Sequence, residues 1–280
     1  MFKIVSRYDL TFVMEIRDST NTAINDFMTQ LNNYVSPSNV SYQLQISDRL
    51  GRTTSKEQYG FIYNPAKINF VKTLQYYDAN NWFERPPFVF VFEINSFKDQ
   101  QFAICGCHIK PEDAVNEISH LRDVFDFYSN ETFTNNTILA GDYNAGCSYV
   151  STSAWSNVTL RTDTRFSWLI SDTTDTTVAV SSCPYDRFVV LKTMADKTIA
   201  TGAKFEIRNV GTFTFDSAYG LPTQNATLVS DHYPIEMVIN TVSPTAQKSS
   251  ALNSTTVSES TITKGSVLTL FVIMVSYLLF

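Results

Sequence analysis

The sequence ILAGDYNAGCSY, residues 138–149, joins an apolar run to a glycine, a carboxylate and an amide. Side chains alternate along a β-strand, so a strand that carries this run would point Asp142 and Asn144 the same way. Both would lie at the carboxyl end of the strand, where α/β sheets bind ligands. A carboxylate beside an amide suits a phosphate group and a hard cation such as Mg²⁺. The pattern also fits an ordinary strand-to-turn junction, so it needs support from elsewhere in the chain.

A second stretch, VSDHYPIE (229–236), places His232 beside Asp231 at the start of another apolar strand. Together, GDYNAGCSYV and SDHYPIE resemble the deoxyribonuclease I family of secreted endonucleases. Six further stretches agree with that family in order and spacing: RYDLTFVMEIRDS (7–19), LGRTTSKEQYGFIYNP (50–65), FERPPF (83–88), CHIKPEDAVNEI (107–118), WLISDTTDTT (168–177) and CPYDRFVV (183–190). The resemblance extends from about Ile4 to Ile239, and the coincidence of eight separated motifs makes it highly specific.

The length of 280 residues and the hydrophobic content of 44% allow one large α/β domain or two small ones. The resemblance implies a four-layer αββα sandwich with two packed mixed β-sheets, the endonuclease/exonuclease/phosphatase fold. We therefore divide the chain into a nuclease domain (1–240), a polar stalk (241–264) and an apolar C-terminal segment (265–280).

Hydrophobic patterns locate the secondary structure within the predicted domain. They predict helices near residues 20–34, 112–128 and 164–170. They predict strands near residues 10–14, 41–47, 58–63, 68–76, 87–95, 101–107, 137–141, 186–193 and 228–240.

Two of the three histidines, His108 and His232, stand at the ends of predicted strands. Two histidines that face one phosphate provide a general base and a general acid near neutral pH, and each needs a carboxylate to orient its ring. The resemblance implies that Glu57 orients His108 and that Asp186 orients His232. The third, His120, lies on the predicted helix 112–128 and is expected at the surface.

The resemblance also implies two metal sites. Asp142 and Asn144 would hold the attacked phosphate and Mg²⁺, with Glu15 and Asp231 completing the hard-ion site. Glu15 could instead form a solvated salt bridge with Arg17. In the loop 171–177, Asp175 and Thr177 match the ligands of a structural Ca²⁺, although loops of this composition are usually just solvated. The expected cofactors are therefore Mg²⁺ and Ca²⁺, with Mn²⁺ as a substitute ion.

The net charge of −6 argues against DNA binding through a generally basic surface. Local cations and metal ions would have to bind the DNA backbone instead. The resemblance implies that Arg17, Arg85 and Tyr149 contact DNA phosphates and that Tyr185 lies close to the site. Ser55 stands where the family usually has a tyrosine that rests in the minor groove, which predicts weaker groove binding. We expect a monomer. Actin binding, known for one family member, is not predicted, because the strand at 41–47 matches only loosely.

The cysteines and the glycosylation sequons bear on the cellular compartment. Four cysteines in a chain of this length are typical of free thiols. The N-x-S/T sequons favour a secreted glycoprotein; they begin at Asn39, Asn130, Asn135, Asn157, Asn225 and Asn253. The resemblance implies a disulfide between Cys147 and Cys183. Cys105 is expected to be a small buried apolar residue on a core strand.

The N-terminal residues 1–8 contain no apolar run of signal-peptide length and suggest the end of a helix. The family normally has a signal peptide here, followed by a central strand with an active-site asparagine. Without that strand we expect an unpaired ladder and an open core. The sequence is then either incomplete or that of an impaired protein.

After Ile239 the composition changes. Residues 241–264 are rich in Ser, Thr and Asn, as in a linker or stalk. Residues 267–280 are apolar but shorter than the roughly 20 residues that span a bilayer. Small residues at 253–255, a polar spacer and an apolar tail match a GPI-attachment signal; a tail anchor or a C-terminal core helix are the alternatives. The prediction is a GPI-anchored protein at the extracellular surface.

The function predicted from these features is a divalent-metal-dependent endonuclease that hydrolyses DNA phosphodiester bonds with low sequence specificity. A related phosphodiesterase of the same fold, such as a sphingomyelinase, is one alternative. A catalytically impaired, surface-anchored binding protein is the other, and it is motivated by the missing strand and by Ser55.

Overall fold

The computed structural model describes residues 1–97, 101–132, 136–195, 205–241 and 267–274. The helices are α1 (Phe2–Val5), α2 (Thr22–Val35), α3 (Ala114–Thr132), α4 (Thr159–Thr162), α5 (Lys192–Ala195), α6 (Phe215–Tyr219) and α7 (Thr223–Thr227). The strands are β1 (Leu10–Ile16), β2 (Gln43–Ile46), β3 (Gln58–Tyr63), β4 (Ile68–Gln75), β5 (Phe88–Ile94), β6 (Gln101–His108), β7 (Thr137–Asp142), β8 (Phe166–Trp168), β9 (Asp186–Leu191), β10 (Phe205–Thr212), β11 (Ile235–Thr241) and β12 (Val267–Met274).

The strands form two six-stranded mixed sheets. The first sheet has the order β10-β11-β12-β1-β3-β2, and the second has the order β4-β5-β6-β7-β9-β8. Each sheet contains one parallel pair, β1 with β12 and β6 with β7. The remaining pairs are antiparallel.

Alternation along the strands sets the layers of the fold. On β5, Phe88, Phe90 and Phe92 belong to a core between the two sheets, whereas Val89 and Val91 face the opposite side and pack with α3. The outer face of the first sheet packs against α2 in the same way. Helix, sheet, sheet and helix therefore stack in that order, which confirms the predicted four-layer αββα sandwich.

Within the apolar C-terminal segment, Val267–Met274 forms strand β12 inside the first sheet. It pairs parallel to β1, with Leu10 opposite Leu270, and antiparallel to β11, with Ile235 opposite Val272. The expected unpaired ladder is therefore wrong for this structure, because Val267–Met274 provides backbone partners to both neighbours. Among the described residues, the structure has no helix long and apolar enough to span a membrane.

Several predicted boundaries differ from the structure. The helix predicted at 164–170 is wrong, because Phe166–Trp168 is the short edge strand β8, paired with β9. Short apolar runs fit a strand or a helix turn equally well. Strand β10 and helices α4, α5, α6 and α7 were not predicted, and β11 begins only at Ile235. Pro234 directly precedes β11 and has no N–H group for a ladder.

Candidate active site

Strand register brings three polar side chains to one level of the second sheet. His108, the last residue of β6, lies opposite Asp142, the last residue of β7. Asp142 in turn lies opposite Asp186, the first residue of β9. All three residues are buried. Three adjacent strands thus present a histidine and two carboxylates at the same edge of the sheet.

Two histidine–carboxylate pairs cross from one sheet to the other. His108 Nδ1 lies 2.9 Å from Oε1 of Glu57, which directly precedes β3 of the first sheet. His232 Nδ1 lies 2.6 Å from Asp186 Oδ2, and His232 precedes β11 of the first sheet. Both predicted pairings are therefore present in the structure. In each pair the carboxylate fixes the ring orientation and leaves Nε2 for other partners.

The charges around the histidines favour their protonated forms. Burial disfavours the charged imidazoles, but the partner carboxylates outweigh it and raise the pKa of both histidines, that of His232 to about 10. Arg85 lies near the Glu57–His108 pair and partly opposes this rise in the pKa of His108. Burial also raises the pKa of Asp142 to about 6.

The loop after β7 is held close to the sheet. Gly141 has φ +148°, and a Cβ atom there would lie 1.8 Å from the carbonyl oxygen of Cys107, so glycine is required. Asn144, in the left-handed region at φ +48°, donates its backbone N–H to Asp142 Oδ1 over 2.7 Å. Its side-chain amide donates to the Ile109 carbonyl over 2.9 Å and to Asp142 Oδ2 over 3.2 Å. The predicted Asp142–Asn144 neighbourhood is thus real, although a turn creates it rather than strand alternation.

Glu15 is a buried carboxylate at an irregular point of β1. It has φ +59°, and the register between β1 and β3 shifts between Val13 and Ile16. Its Oε2 lies 3.0 Å from Arg17 Nη2, so the salt bridge considered for this pair is present. Burial raises the pKa of Glu15, and the nearby Asp231 carboxylate acts in the same direction. The buried Glu15 and the half-buried Asp231 thus place two negative charges close enough to disfavour the ionised form of Glu15.

Among the described residues, one group of side chains has the spacing of metal ligands. The ligand atoms of Asp142, Asp186 and His232 lie within 4.8 Å of one another. This group contains Asp142 from the predicted magnesium site but not Glu15 or Asp231. An ion at this site would meet hard carboxylate oxygens and one imidazole nitrogen, and this donor set fits a divalent cation.

The predicted calcium loop packs against the second histidine. Asp175 Oδ1 accepts hydrogen bonds from the Thr177 backbone N–H and hydroxyl, each over 3.0 Å, and from the Cys183 N–H over 3.2 Å. Thr177 forms an isolated β-bridge with His232. Asp175 and Thr177 are therefore adjacent, as the sequence predicted, and the loop they order supports the site.

The predicted DNA-contact residues lie next to the two histidine–carboxylate pairs or to Glu15. Tyr149 lies 5.5 Å from Tyr185 between ring centroids, and Tyr185 stacks on His232 at 5.9 Å. Arg85 is almost fully buried, with Nε donating to the His108 carbonyl over 3.2 Å. Arg17 is about half exposed beside Glu15. A row of aromatic rings and two arginines thus border the histidines.

The cysteine predictions hold. Cys147 and Cys183 form a disulfide that ties the loop after β7 to the segment before β9. Cys105 and Cys107 are free and buried on β6. His120 is not a simple surface residue, because its ring stacks on Trp82 with 3.9 Å between centroids.

Arg187 and Glu117 are among the buried charged residues near the site that were not predicted. Arg187, fully buried, donates to the carbonyls of Ile170 and Ala145, each over 2.8 Å, and so joins the calcium-loop region to the loop after β7. Glu117, also fully buried, accepts backbone hydrogen bonds from Glu84 and Lys110. The available signal was a charged residue within an apolar pattern: CPYDRFVV for Arg187, and the buried stripe of α3 for Glu117.

Sequence comparison identifies relatives of the chain. No family model matches the chain. Deoxyribonuclease-1 of Bos taurus is 38% identical over 242 residues, covering 85% of this chain and 83% of the relative. Deoxyribonuclease gamma of Mus musculus is 41% identical over 239 residues, covering 84% and 75%.

Solved structures agree on the fold. ANGEL2, a 2′,3′-cyclic phosphatase, has a TM-score of 0.53 at 10% identity, covering 84% of this chain and 82% of that chain. An endonuclease/exonuclease/phosphatase from Bacteroides vulgatus has a TM-score of 0.51 at 12% identity, covering 83% and 84%. These likenesses concern architecture, whereas the sequence identities identify relatives. The chain belongs to the deoxyribonuclease I family.

Proposed function

We propose that this chain is a divalent-metal-dependent endonuclease that hydrolyses DNA phosphodiester bonds with little sequence preference. The observation that carries the proposal is the pair of buried histidines, each hydrogen-bonded at Nδ1 to a carboxylate from the opposite sheet. The relatives named deoxyribonucleases support DNA as the substrate. Acid–base catalysis by two oriented imidazoles fits the hydrolysis of a phosphodiester.

In the proposed reaction, water attacks the phosphorus and the bond to one ester oxygen breaks. One of His108 and His232 accepts the proton of the attacking water, and the other donates a proton to the leaving oxygen. Glu57 and Asp186 hold the two rings in place during these transfers. The Asn144 side-chain amide donates to Ile109 and to Asp142, so Asn144 would act by holding the Asp142 carboxylate in place.

The metal requirement is part of the proposal. Asp142, with Glu15 and Asp231, would hold Mg²⁺, or Mn²⁺ in its place, and such an ion stabilises negative charge on phosphate oxygens. Asp175 and Thr177 would hold a structural Ca²⁺. A native-state ligand raises the melting temperature by mass action. Melting curves of wild type and Asp175→Asn with and without Ca²⁺ test this site, and overlapping wild-type curves would count against it.

DNA binding would depend on local groups because the overall charge is −6. Arg17 beside Glu15 and Arg85 beside Glu57 would supply positive charge, and Tyr149 and Tyr185 would offer ring faces and hydroxyls to the DNA backbone and minor groove. Phosphate contacts of this kind make binding weaken as salt rises. We infer that the active form is a monomer, since each histidine receives its carboxylate from the same chain.

A plasmid-nicking assay tests the proposal. Purified protein should convert supercoiled plasmid to nicked circles with Mg²⁺ and Ca²⁺, and EDTA should abolish the conversion. Parallel reactions with sphingomyelin test the related phosphodiesterase. Stoichiometric DNA binding without cleavage would instead indicate a binding protein. Conversion of sphingomyelin alone, or binding alone, contradicts the nuclease assignment.

The cellular location is a second part of the proposal. The four sequon asparagines within the described residues, Asn39, Asn130, Asn157 and Asn225, are exposed, as glycosylation requires. The disulfide fits an oxidising compartment outside the cytosol. We infer secretion followed by lipid attachment at a small residue near Asn253, in the stalk 241–264. Nearly all of the stalk, residues 242–264, lies outside the described residues.

Lipid attachment would remove the segment that forms β12. Strand β12 lies between β1 and β11, so an anchored form would need another strand in that place. Phosphatidylinositol-specific phospholipase C should release nuclease activity from cells that express the anchored form. Activity that stays on the membrane, with Phe280 intact by mass spectrometry, would contradict the GPI assignment and indicate a tail anchor.

A further inference from the structure

Glu117 lies on the face of α3 that otherwise carries apolar residues. Positions 117, 121, 124 and 128 of α3 follow the spacing of one helix face, and Leu121, Val124 and Tyr128 are fully buried. Glu117 is equally buried, at 0% exposure. A buried carboxylate is costly unless it is hydrogen-bonded, so its partners indicate what it does.

Both carboxylate oxygens of Glu117 bind backbone groups of active-site loops. Oε1 accepts the N–H of Glu84 over 2.9 Å, and Oε2 accepts the N–H of Lys110 over 3.2 Å. Glu84 directly precedes Arg85, and Lys110 lies two residues after His108. One rigid group on α3 therefore fixes the distance between the loop 83–87 and the loop after β6.

The first of these loops contacts the Glu57–His108 pair directly. Arg85 Nε donates to the carbonyl of His108 over 3.2 Å and lies 3.7 Å from Glu57 Oε1. A shift of the Arg85 backbone would therefore reach both members of the pair. Because these groups are buried and closely packed, they cannot adjust independently.

The same loop also supports the segment that leads to Glu57. The Glu84 carboxylate accepts hydrogen bonds from the Thr53 hydroxyl over 2.5 Å, the Thr53 N–H over 3.1 Å and Arg52 Nε over 3.2 Å. Glu57 then pairs with Leu50 through two backbone hydrogen bonds across this segment. Loop 83–87 thus links α3 to the segment that carries Glu57, the carboxylate partner of His108.

We propose that Glu117 is a positioning residue of the active site, whose carboxylate sets the placement of Arg85 and His108. Its effect on DNA hydrolysis rests on the proposed function, whereas its effect on His108 can be measured on the protein alone. Burial raises the pKa of Glu117 to about 7, so the fold retains this carboxylate at a cost in stability.

Kinetics give the first test. Glu117→Gln keeps the shape but only one acceptor oxygen, so kcat/KM for plasmid nicking should fall about 10- to 100-fold, mainly in kcat. Leu121→Val, one turn along the same buried face, is the control that reduces packing without touching either loop. In an Arg85→Ala background, Glu117→Gln should cost little more, because both act through one network. Fully additive losses would overturn the proposal.

Magnetic resonance gives the second test, independent of activity. The chain has three histidines, so selective ¹⁵N labelling resolves each ring. Glu117→Gln should shift the ring signals of His108 and leave those of His232 in place. The His120 ring, stacked on Trp82 just before loop 83–87, reports movement of that loop.

The outcomes separate the two proposals. If the backbone amide signals of Glu84 and Lys110 move while His108 stays, Glu117 is only a structural residue and the positioning proposal is wrong. If the His108 signals move but the wild-type protein does not hydrolyse DNA, the positioning proposal holds and the proposed function fails.

Discussion

The two sheets are assembled in different ways. The second sheet takes its six strands from one continuous part of the chain, residues 68–191. The first sheet takes three strands from residues 10–63 and three from residues 205–274, so it joins the two ends of the chain. Its central pair, β1 with β12, connects residues about as far apart in sequence as the described chain allows.

This difference matters for the site because each histidine pair needs both sheets. The second sheet supplies His108 and Asp186 at one level, fixed by strand register. The first sheet supplies Glu57 and His232 from segments that flank its strands. The rate of catalysis should therefore depend equally on residues of both sheets. Folding stability should be more sensitive to changes in the first sheet, because that sheet joins the two ends of the chain.

The largest expected effect comes from the histidines themselves. His108→Ala and His232→Ala should each reduce plasmid nicking by about 10²–10⁴-fold, the usual scale for acid–base groups. Similar losses from residues of different sheets would support the shared site. His120→Ala, a histidine outside the proposed machinery, is the control and should stay within about threefold of wild type. Near-normal rates in both single variants would rule out the assignment.

The next largest effect should destabilise the first sheet without destabilising the second. A chain that ends at Ser266 lacks β12 and leaves the facing edges of β1 and β11 without partners. Hydrogen exchange should accelerate at β1 and β11 but not at β6 and β7, and activity should fall at least about tenfold. Shortening the stalk within residues 243–260 is the control. Unchanged protection of β1 and β11 would show that β12 does not support the sheet.

A smaller effect is expected when the second sheet is loosened. Replacing both Cys147 and Cys183 with Ser should lower the free energy of unfolding by about 3–4 kcal/mol, because the bond constrains the unfolded chain. Denaturant titration measures this change. Since the bond joins segments that flank β7 and β9, hydrogen exchange in β1 should change little. Cys105→Ala serves as the control for loss of a thiol alone.

The smallest expected effect is a pH dependence of the free energy of unfolding that comes from Glu117. Burial raises the pKa of Glu117 to about 7, above the roughly 4.3 of an unfolded glutamate. The associated stability is fully present below about pH 4.3 and is lost as the pH rises through about 7. Wild type should therefore weaken relative to Glu117→Gln across this range, as measured by denaturant midpoints. The exposed Glu112→Gln is the matched control, and a pH-independent difference would contradict the prediction.

The sequence was most informative where residues act through local motifs. The histidines, their carboxylate partners, Asp142, Asn144 and the disulfide follow from the family resemblance, and the structure brings them together. The αββα layers also follow from the resemblance, and strands such as Phe88–Ile94 carry apolar side chains on both faces, as an inner layer requires.

Other features depend on tertiary contacts that local patterns do not encode. The sequence of β12 is uniformly apolar and does not predict a strand. Its pairing with β1 on one side and β11 on the other is a tertiary contact. The helix pattern marks Glu117 as a charged residue on an apolar face, but its role follows only from the two loops that it holds. Short elements such as β8 carry too few residues for any period to be recognised.

The central claim is that His108 and His232 serve one step at a site shared by the two sheets. The double variant His108→Ala/His232→Ala, compared with both single variants by kcat/KM for plasmid nicking, tests it most directly. Groups that act as a unit show strongly non-additive losses. The account predicts that kcat/KM of the double variant is no more than about tenfold below that of the less active single variant. Losses that multiply across the two sites would show that the histidines act independently and would contradict the account.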